Sequence, residues 1–215
     1  MAIQNTLPDP NNRINAAGGD SSGSYGPGFS AVTVTSQQPI VMNRANSGLT
    51  FKSINKYQKF MVDIKYNKLT KAEFNLVYAF LLQRQASLEA FFVELPQYGN
   101  SSAGTKNITA DADAGSVELT LNNTTDINVA DMLYINDPQD DTHVKTYKVT
   151  KVNNSTVITV TPPIQRKIDV SLAGTEQANF GTPRMRVCVP GSDIQYSVDA
   201  KGLYSFSVKL EETLS

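Results

Sequence analysis

Few residues of this chain combine the types and the spacing that enzyme catalysis requires. His143 and Cys188 are the only histidine and the only cysteine among the 215 residues, so any triad that uses an imidazole must use His143. His143 follows two aspartates and a threonine in a polar turn, a pattern typical of a solvated loop. Cys188 lies between Val187 and Val189, where a thiol more often packs as a small apolar group than acts as a nucleophile. The sequence therefore predicts that the protein is not an enzyme.

The acidic residues could offer acid–base catalysis or a metal site. The glutamates that are close in sequence have no cleft-forming context, so we expect them to face solvent. Residues 136–141 cluster the oxygen donors that calcium prefers, but they lack the ligand spacing and the glycine of an EF-hand loop. An acidic turn exposed to water is the favoured interpretation there, and also at Asp111 and Asp113. We predict no metal ion and no cofactor. The glutamate pairs are Glu89 with Glu94, and Glu211 with Glu212.

Composition limits the partners of the chain. The formal net charge is −1 and no run of basic residues occurs, so the sequence predicts no nucleic-acid partner. No apolar segment approaches the roughly 18 residues of a membrane span, and the first residues do not have the pattern of a secretory signal, so we expect no membrane partner. A single cysteine fits folding in a reducing compartment.

The clearest elements lie between residues 56 and 96. Residues 56–66 nearly alternate apolar and polar side chains, which predicts a half-buried strand. Residues 70–73 match a capping box, in which the Thr70 hydroxyl and the Glu73 carboxylate cap the start of a helix. Residues 88–95 resume an extended pattern, which Pro96 should end. The predicted buried stripe of the helix consists of Phe74, Val77, Tyr78, Leu81 and Leu82.

The remaining segments predict a mainly β fold with one principal α-helix. Residues 1–28 are rich in Asn, Gly, Ser and Pro, which predicts a flexible N-terminal arm. Residues 99–182 have short strand patterns and close turns without helical period, which predicts a small β-barrel with a hairpin across residues 153–155. Residues 183–215 hold too few strands to be stable alone, so we expect them to complete the sheet begun at residue 29. Residues 29–98 and 183–215 would then form one discontinuous antiparallel β-sandwich domain, with residues 99–182 inserted.

This order of elements resembles a family of tailed-bacteriophage proteins. The resemblance rests on the strand at residues 56–64, the capped helix after it, the strand LEAFFVELP at residues 88–96 and the closing strand YSFSVKLEE at residues 204–212. Together they are similar to the minor tail protein M of lambda-like phages and to the wider distal tail protein group. In that group this module forms a belt domain, and accessory β domains are commonly inserted or appended, often of oligonucleotide/oligosaccharide-binding or lectin-like shape.

The resemblance implies a structural role in the virion tail. Belt domains assemble into a homo-oligomeric ring, typically a hexamer, at the end of the tail tube. The implied partners are the tail tube, the tail hub and a receptor-binding protein, and assembly would take place in the cytoplasm of the host bacterium. We expect the neighbouring subunits to meet at the strand of residues 56–66, at the hairpin of residues 194–211 and at the N-terminal arm. The expected contact residues are Tyr57, Phe60, Val62, Ile64, Tyr66, Tyr196, Tyr204 and Phe206.

A second class of function stays open, a module of the tail or baseplate that binds a carbohydrate or the host surface. Such a barrel usually presents exposed aromatic side chains, especially Trp and Tyr. Residues 99–182 contain no Trp, and their two tyrosines, Tyr134 and Tyr147, lie within strand patterns. This composition favours an interaction or spacer role over sugar recognition.

Overall fold

The computed structural model describes residues 5–8, 29–38, 40–54, 58–84, 88–136, 145–171, 176–191 and 194–213. Within them the fold is mainly β, with antiparallel strand pairs and one α-helix, as the sequence predicts. No helix in these ranges is long and apolar enough to cross a membrane. The strands are β1 (Phe29–Gln37), β2 (Ile40–Arg44), β3 (Thr50–Ile54), β4 (Lys59–Tyr66), β5 (Phe91–Glu94), β6 (Thr105–Asn107), β7 (Glu118–Thr120), β8 (Met132–Asn136), β9 (Lys145–Val152), β10 (Val157–Thr161), β11 (Gln177–Asn179), β12 (Arg184–Cys188), β13 (Tyr196–Val198) and β14 (Tyr204–Glu212). The helices are α1 (Lys71–Gln83) and a short 3-10 helix (Pro96–Tyr98).

The first sheet joins strands from both ends of the chain. Its order is β1-β4-β14-β12-β5, and β13 pairs with β14. Strand β4 shows the predicted period of two, with every second side chain buried. Ile64 at its centre pairs with Val32 of β1 on one side and with Val208 of β14 on the other. Strand β4 is therefore an interior strand, and its apolar face belongs to the subunit core.

Helix α1 begins with the predicted capping box and covers the apolar face of this sheet. Thr70 Oγ1 accepts a hydrogen bond from Glu73 N at 3.4 Å, and Glu73 Oε2 accepts one from Thr70 N at 3.0 Å. The buried stripe differs from the prediction at three positions, since Phe80 is buried, Leu82 is exposed and Tyr78 is half-buried. Phe80 packs edge-on against Phe91 of β5, with ring centroids 5.3 Å apart. Phe80 is buried because β5 lies beside the helix, an arrangement that the helical period of the sequence cannot reveal.

The second sheet has the order β6-β11-β8-β9-β10-β7 and curls strongly into a half-barrel. Its outer strands approach each other at one end, where Ile108 and Leu121 form a bridge. The predicted hairpin across residues 153–155 is confirmed as β9–β10. Asn154 Oδ1 fixes its turn by accepting hydrogen bonds from the backbone N–H groups of Thr156 and Val157, both at 2.8 Å. The concave side is filled by a core that includes Tyr147 and Phe180.

Strands β2 and β3 form a separate two-stranded hairpin. Residues 45–48, which are rich in turn-forming side chains, form the turn of this hairpin, and the strands on either side pair with each other. Gly48 has φ +84°, a conformation that glycine adopts without steric cost. Gly48 N donates to Ala45 O, and Ala45 N donates to Leu49 O, each at 2.9 Å. The turn residues thus end one strand and start the next.

Candidate assembly surfaces

The residues considered for nucleophilic or metal chemistry do not form a site in the described part of the chain. His143 and residues 137–141 lie outside it, and Asn136 is the last residue of β8. Cys188 ends β12, and burial raises the pKa of its thiol, which favours the unreactive protonated form. Within the described ranges, no group of three His, Cys, Asp or Glu side chains is placed to hold a metal ion.

The four glutamates considered for acid–base chemistry have different surroundings. Glu89 accepts a hydrogen bond from Arg84 Nη1 at 3.1 Å, and Glu211 forms an ion pair with Lys59. Glu94 is half-buried and pairs across the strands with Arg184. The expectation that these glutamates face solvent is wrong for Glu212, whose side chain is 0% exposed.

Glu212 lies in a buried polar seam between the two sheets. Its Oε2 forms an ion pair with Lys145 and accepts a hydrogen bond from Phe60 N at 3.1 Å. Its Oε1 accepts a hydrogen bond from Thr146 N at 3.2 Å. Burial lowers the pKa of Lys145, and the charge of Glu212 opposes that shift. Because Lys145 is on β9 and Glu212 is on β14, this ion pair holds the half-barrel against the first sheet.

Gln58 extends the seam on the other side of Lys145. Its Oε1 accepts hydrogen bonds from Gln38 Nε2 at 3.2 Å and from Thr161 Oγ1 at 3.0 Å, and its backbone O accepts one from Lys145 Nζ at 3.3 Å. The sequence gives no signal for this network, since Gln58 and Thr161 are 103 residues apart. Only the folded arrangement of the two sheets brings these polar groups together.

Most of the residues expected at subunit contacts lie in the core of this subunit. Tyr57 is outside the described residues. The side chains of Phe60, Val62 and Ile64 are buried, with at most 1% exposed, so they offer a neighbouring subunit no surface. Tyr66 is also buried, and desolvation raises the pKa of its hydroxyl. The same alternation that predicts β4 thus places its apolar side chains in the core.

The tyrosines and Phe206 of the C-terminal hairpin form an aromatic group with α1. Phe206 is buried, whereas Tyr204 is half-buried and Tyr196 is 47% exposed. Phe74 of the helix contacts all three rings, at centroid distances of 4.5 Å to Tyr204, 4.7 Å to Tyr196 and 5.7 Å to Phe206. Of the residues expected at subunit contacts, Tyr196 and Tyr204 therefore remain accessible to another molecule.

The two edges of the first sheet differ. At the β5 edge, residues 5–8 run parallel to the strand, although the sequence predicts a flexible arm over residues 1–28. Leu7 N donates to Phe92 O at 2.7 Å, and Phe92 N donates to Asn5 O at 2.8 Å. Leu7 is buried in the core cluster of the sheet and helix. At the other edge, β1 pairs only with β4 among the described strands, and most of its side chains are exposed. Among the described residues, the sheet thus has one covered edge and one open edge.

One segment of this chain matches the model of a known protein family. Residues 7–98 match the family model of the distal tail protein pb9, A domain, N-terminal part. The match begins at the segment that covers β5 and ends at the 3-10 helix after it, so it includes β1, the hairpin, β4 and α1. No curated protein matches the chain. Residues 7–98 are therefore similar to the N-terminal part of the A domain of a distal tail protein, a family that implies a structural role at the tip of bacteriophage tails.

Proposed function

We propose that this chain forms a ring at the distal end of a bacteriophage tail tube and joins the tube to the hub or to the receptor-binding apparatus. The family match supports a structural protein of the virion tail. The observation that carries the ring is the difference between the sheet edges, since no described strand pairs with the outer side of β1, while residues 5–8 cover β5. A subunit with one open edge joins its neighbour through unlike surfaces, and such contacts close into a ring when the rotation permits.

We propose the discontinuous organisation of the chain as part of this function. Residues 29–98 and 183–215 would form the belt domain, because β12, β13 and β14 complete the sheet that contains β1, β4 and β5. Residues 99–182 would be an insertion. Its two ends are adjacent, since Asn100 N donates to Phe180 O at 2.8 Å and Leu95 N donates to Pro183 O at 2.8 Å. An insertion with adjacent ends can leave the ring-forming sheet undisturbed.

The half-barrel gives little support to the alternative, a carbohydrate or host-surface binding module. Tyr147 is 2% exposed, and its hydroxyl accepts a hydrogen bond from Gln165 N at 3.2 Å. Tyr134 is half-buried within β8. These rings do not form the exposed aromatic platform that sugar binding usually requires. We therefore assign the insertion a role in contacts with other tail proteins.

The ring is tested by the mass and shape of the purified chain. Light scattering behind a sizing column, with negative-stain images of the same peak, should give a closed ring of typically six copies. Lysines at Thr33 and Thr35, two exposed positions of β1, should abolish the ring, because charges on an edge strand block pairing. The control is Asn122→Lys, at an exposed turn of the half-barrel. A wild-type chain that stays monomeric and forms no ring on purified tail tubes would contradict the proposal.

A further inference from the structure

The hairpin β2–β3 exposes more apolar surface than any other described part of the chain. Five of its large apolar side chains are between 49% and 64% exposed. We call this hairpin, residues 40–54, the apolar finger. At on the order of 100 Å² each, these side chains present roughly 500 Å², which reaches the size of exposed patches that mark interaction sites. The five side chains are Ile40, Val41, Met42, Leu49 and Phe51.

Both faces of the apolar finger carry apolar side chains. Successive side chains of a strand point to opposite faces, so Ile40 and Met42 share one face and Val41 lies on the other. Phe51 pairs with Asn43, which puts it on the same face as Val41. A two-stranded hairpin is marginally stable alone in water. A finger of this kind gains most stability when a partner covers it along its length.

A second exposed apolar surface lies between α1 and β13. We call it the helix–hairpin patch, and it consists of Tyr78, Leu82, Tyr196 and Val198. Leu82, Tyr196 and Val198 are 56%, 47% and 49% exposed, and Tyr78 is half-buried. The patch is continuous, because the rings of Tyr78 and Tyr196 are 5.3 Å apart, and Leu82 is one helical turn beyond Tyr78.

The finger and the patch lie at opposite ends of the first sheet. The finger follows Gln37, which pairs with Lys59 at the start of β4. The patch adjoins Phe206, whose ring stacks on Tyr66 at the end of β4, at 5.6 Å. Seven strand steps separate Lys59 from Tyr66, which is about 23 Å at ~3.3 Å per residue. The base of the finger is therefore about 23 Å from the patch of the same chain, farther than the ~17 Å that its five-residue strands can span.

We propose that the apolar finger of one copy docks on the helix–hairpin patch of the next copy. This proposal rests on the ring proposed above and names its contact. Finger and patch are unlike surfaces of similar apolar character, so their pairing is heterologous and repeats by rotation. At on the order of 100 Å² per side chain, one face of the finger and the patch present roughly 600 Å² in total, and the β1 edge must supply the rest of the about 1,000 Å² that a specific interface needs. The open edge of β1, which leads directly into the finger, adds to the same contact.

Disulfide trapping between two differently labelled chains tests this contact. In a Cys188→Ser background, Val41→Cys chains are mixed with Val198→Cys chains at high concentration under mild oxidation. We expect the mixture to give at least about tenfold more disulfide dimer than a control mixture of Asn122→Cys and Val198→Cys chains, which equals ~1.4 kcal/mol of preferential association. A yield no higher than the control would overturn the proposal. Val41→Cys chains that link to each other as efficiently would also overturn it, because they would indicate contact between like surfaces.

Variants on the two surfaces separate this proposal from the ring itself. Phe51→Ser in the finger and Leu82→Ser in the patch both change exposed side chains, so the monomer should keep its unfolding midpoint. Each should reduce the fraction of chains in rings, with little further loss when both are combined. Rings that persist in both variants would overturn the finger contact and leave the ring proposal intact. Cross-linked chains that never close in negative-stain images would support the finger contact and contradict the ring.

Discussion

At the scale of single residues, the most consequential group is the carboxylate of Glu212. It has no exposed side-chain surface and is satisfied by the Lys145 ammonium and by the backbone N–H groups of Phe60 and Thr146. A buried charge of this kind costs several kcal/mol to desolvate, and only its partners offset that cost. The seam thus contributes little net stability. Its main effect is that the two sheets can pack in only one relative position.

Glu212→Ala should lower the free energy of unfolding by about 3–5 kcal/mol, because it leaves the Lys145 ammonium buried without its counter-charge. The measurement is the urea midpoint followed by circular dichroism. The matched control is Glu211→Ala, one residue earlier, whose ion pair with Lys59 is partly exposed and should contribute less than about 1 kcal/mol. Replacing both partners, as in Lys145→Met with Glu212→Leu, should restore only part of the loss, because the backbone N–H groups of Phe60 and Thr146 then lack an acceptor. Equal effects of the two alanine variants would contradict the role of burial.

At the scale of elements, residues 5–8 protect the β5 edge of the first sheet. Leu7→Ala should destabilise the protein by about 2–5 kcal/mol, as expected for a truncated core side chain, because Leu7 is 1% exposed. The unfolding midpoint in urea measures this loss. Asn5→Ala is the control, since Asn5 is exposed and contributes its backbone O to Phe92 N.

Loss of this segment should also change association, since it leaves a second open edge. A chain shortened by residues 1–8 should form irregular aggregates through β5, visible by light scattering. A shortened chain that keeps the wild-type midpoint and the wild-type mass would show that the segment is not needed to cover the edge.

The elements that the sequence predicts well are those with local signals. The capping box at Thr70 and Glu73, the alternation of β4 and the hairpin turn around Asn154 are all determined by neighbouring residues. The features that the sequence misses depend on distant partners. Leu7 is a single apolar residue in a polar segment, and only the groove beside β5 makes it part of the core. From the sequence alone, the apolar side chains of β4 could equally well contact another subunit or lie in the core. The sheet resolves this, because both strands beside β4 belong to the same chain.

At the scale of the whole molecule, the two sheets are connected at one crossing point of the chain as well as through the seam. The chain passes from the first sheet to the half-barrel at Gly99 and returns at Gly181, and the two backbone segments are in contact at these glycines. A Cβ atom at Gly99 would lie 1.9 Å from the carbonyl oxygen of Gly181. Position 99 thus requires glycine, because two backbone segments approach each other closely there. Neither segment can move without displacing a sheet.

Gly99→Ala should therefore destabilise the protein as a whole, by about 1–3 kcal/mol or more, as overpacking of a rigid contact does. Gly181→Ala is the matched control on the other side of the crossing. A Cβ there meets nothing nearer than Asn179 Oδ1 at 3.7 Å, so its midpoint should stay within about 0.5 kcal/mol of the wild type. If the crossing couples the sheets, Gly99→Ala should shift a single unfolding transition. Separate transitions for the two sheets, or equal losses in both variants, would contradict the coupling.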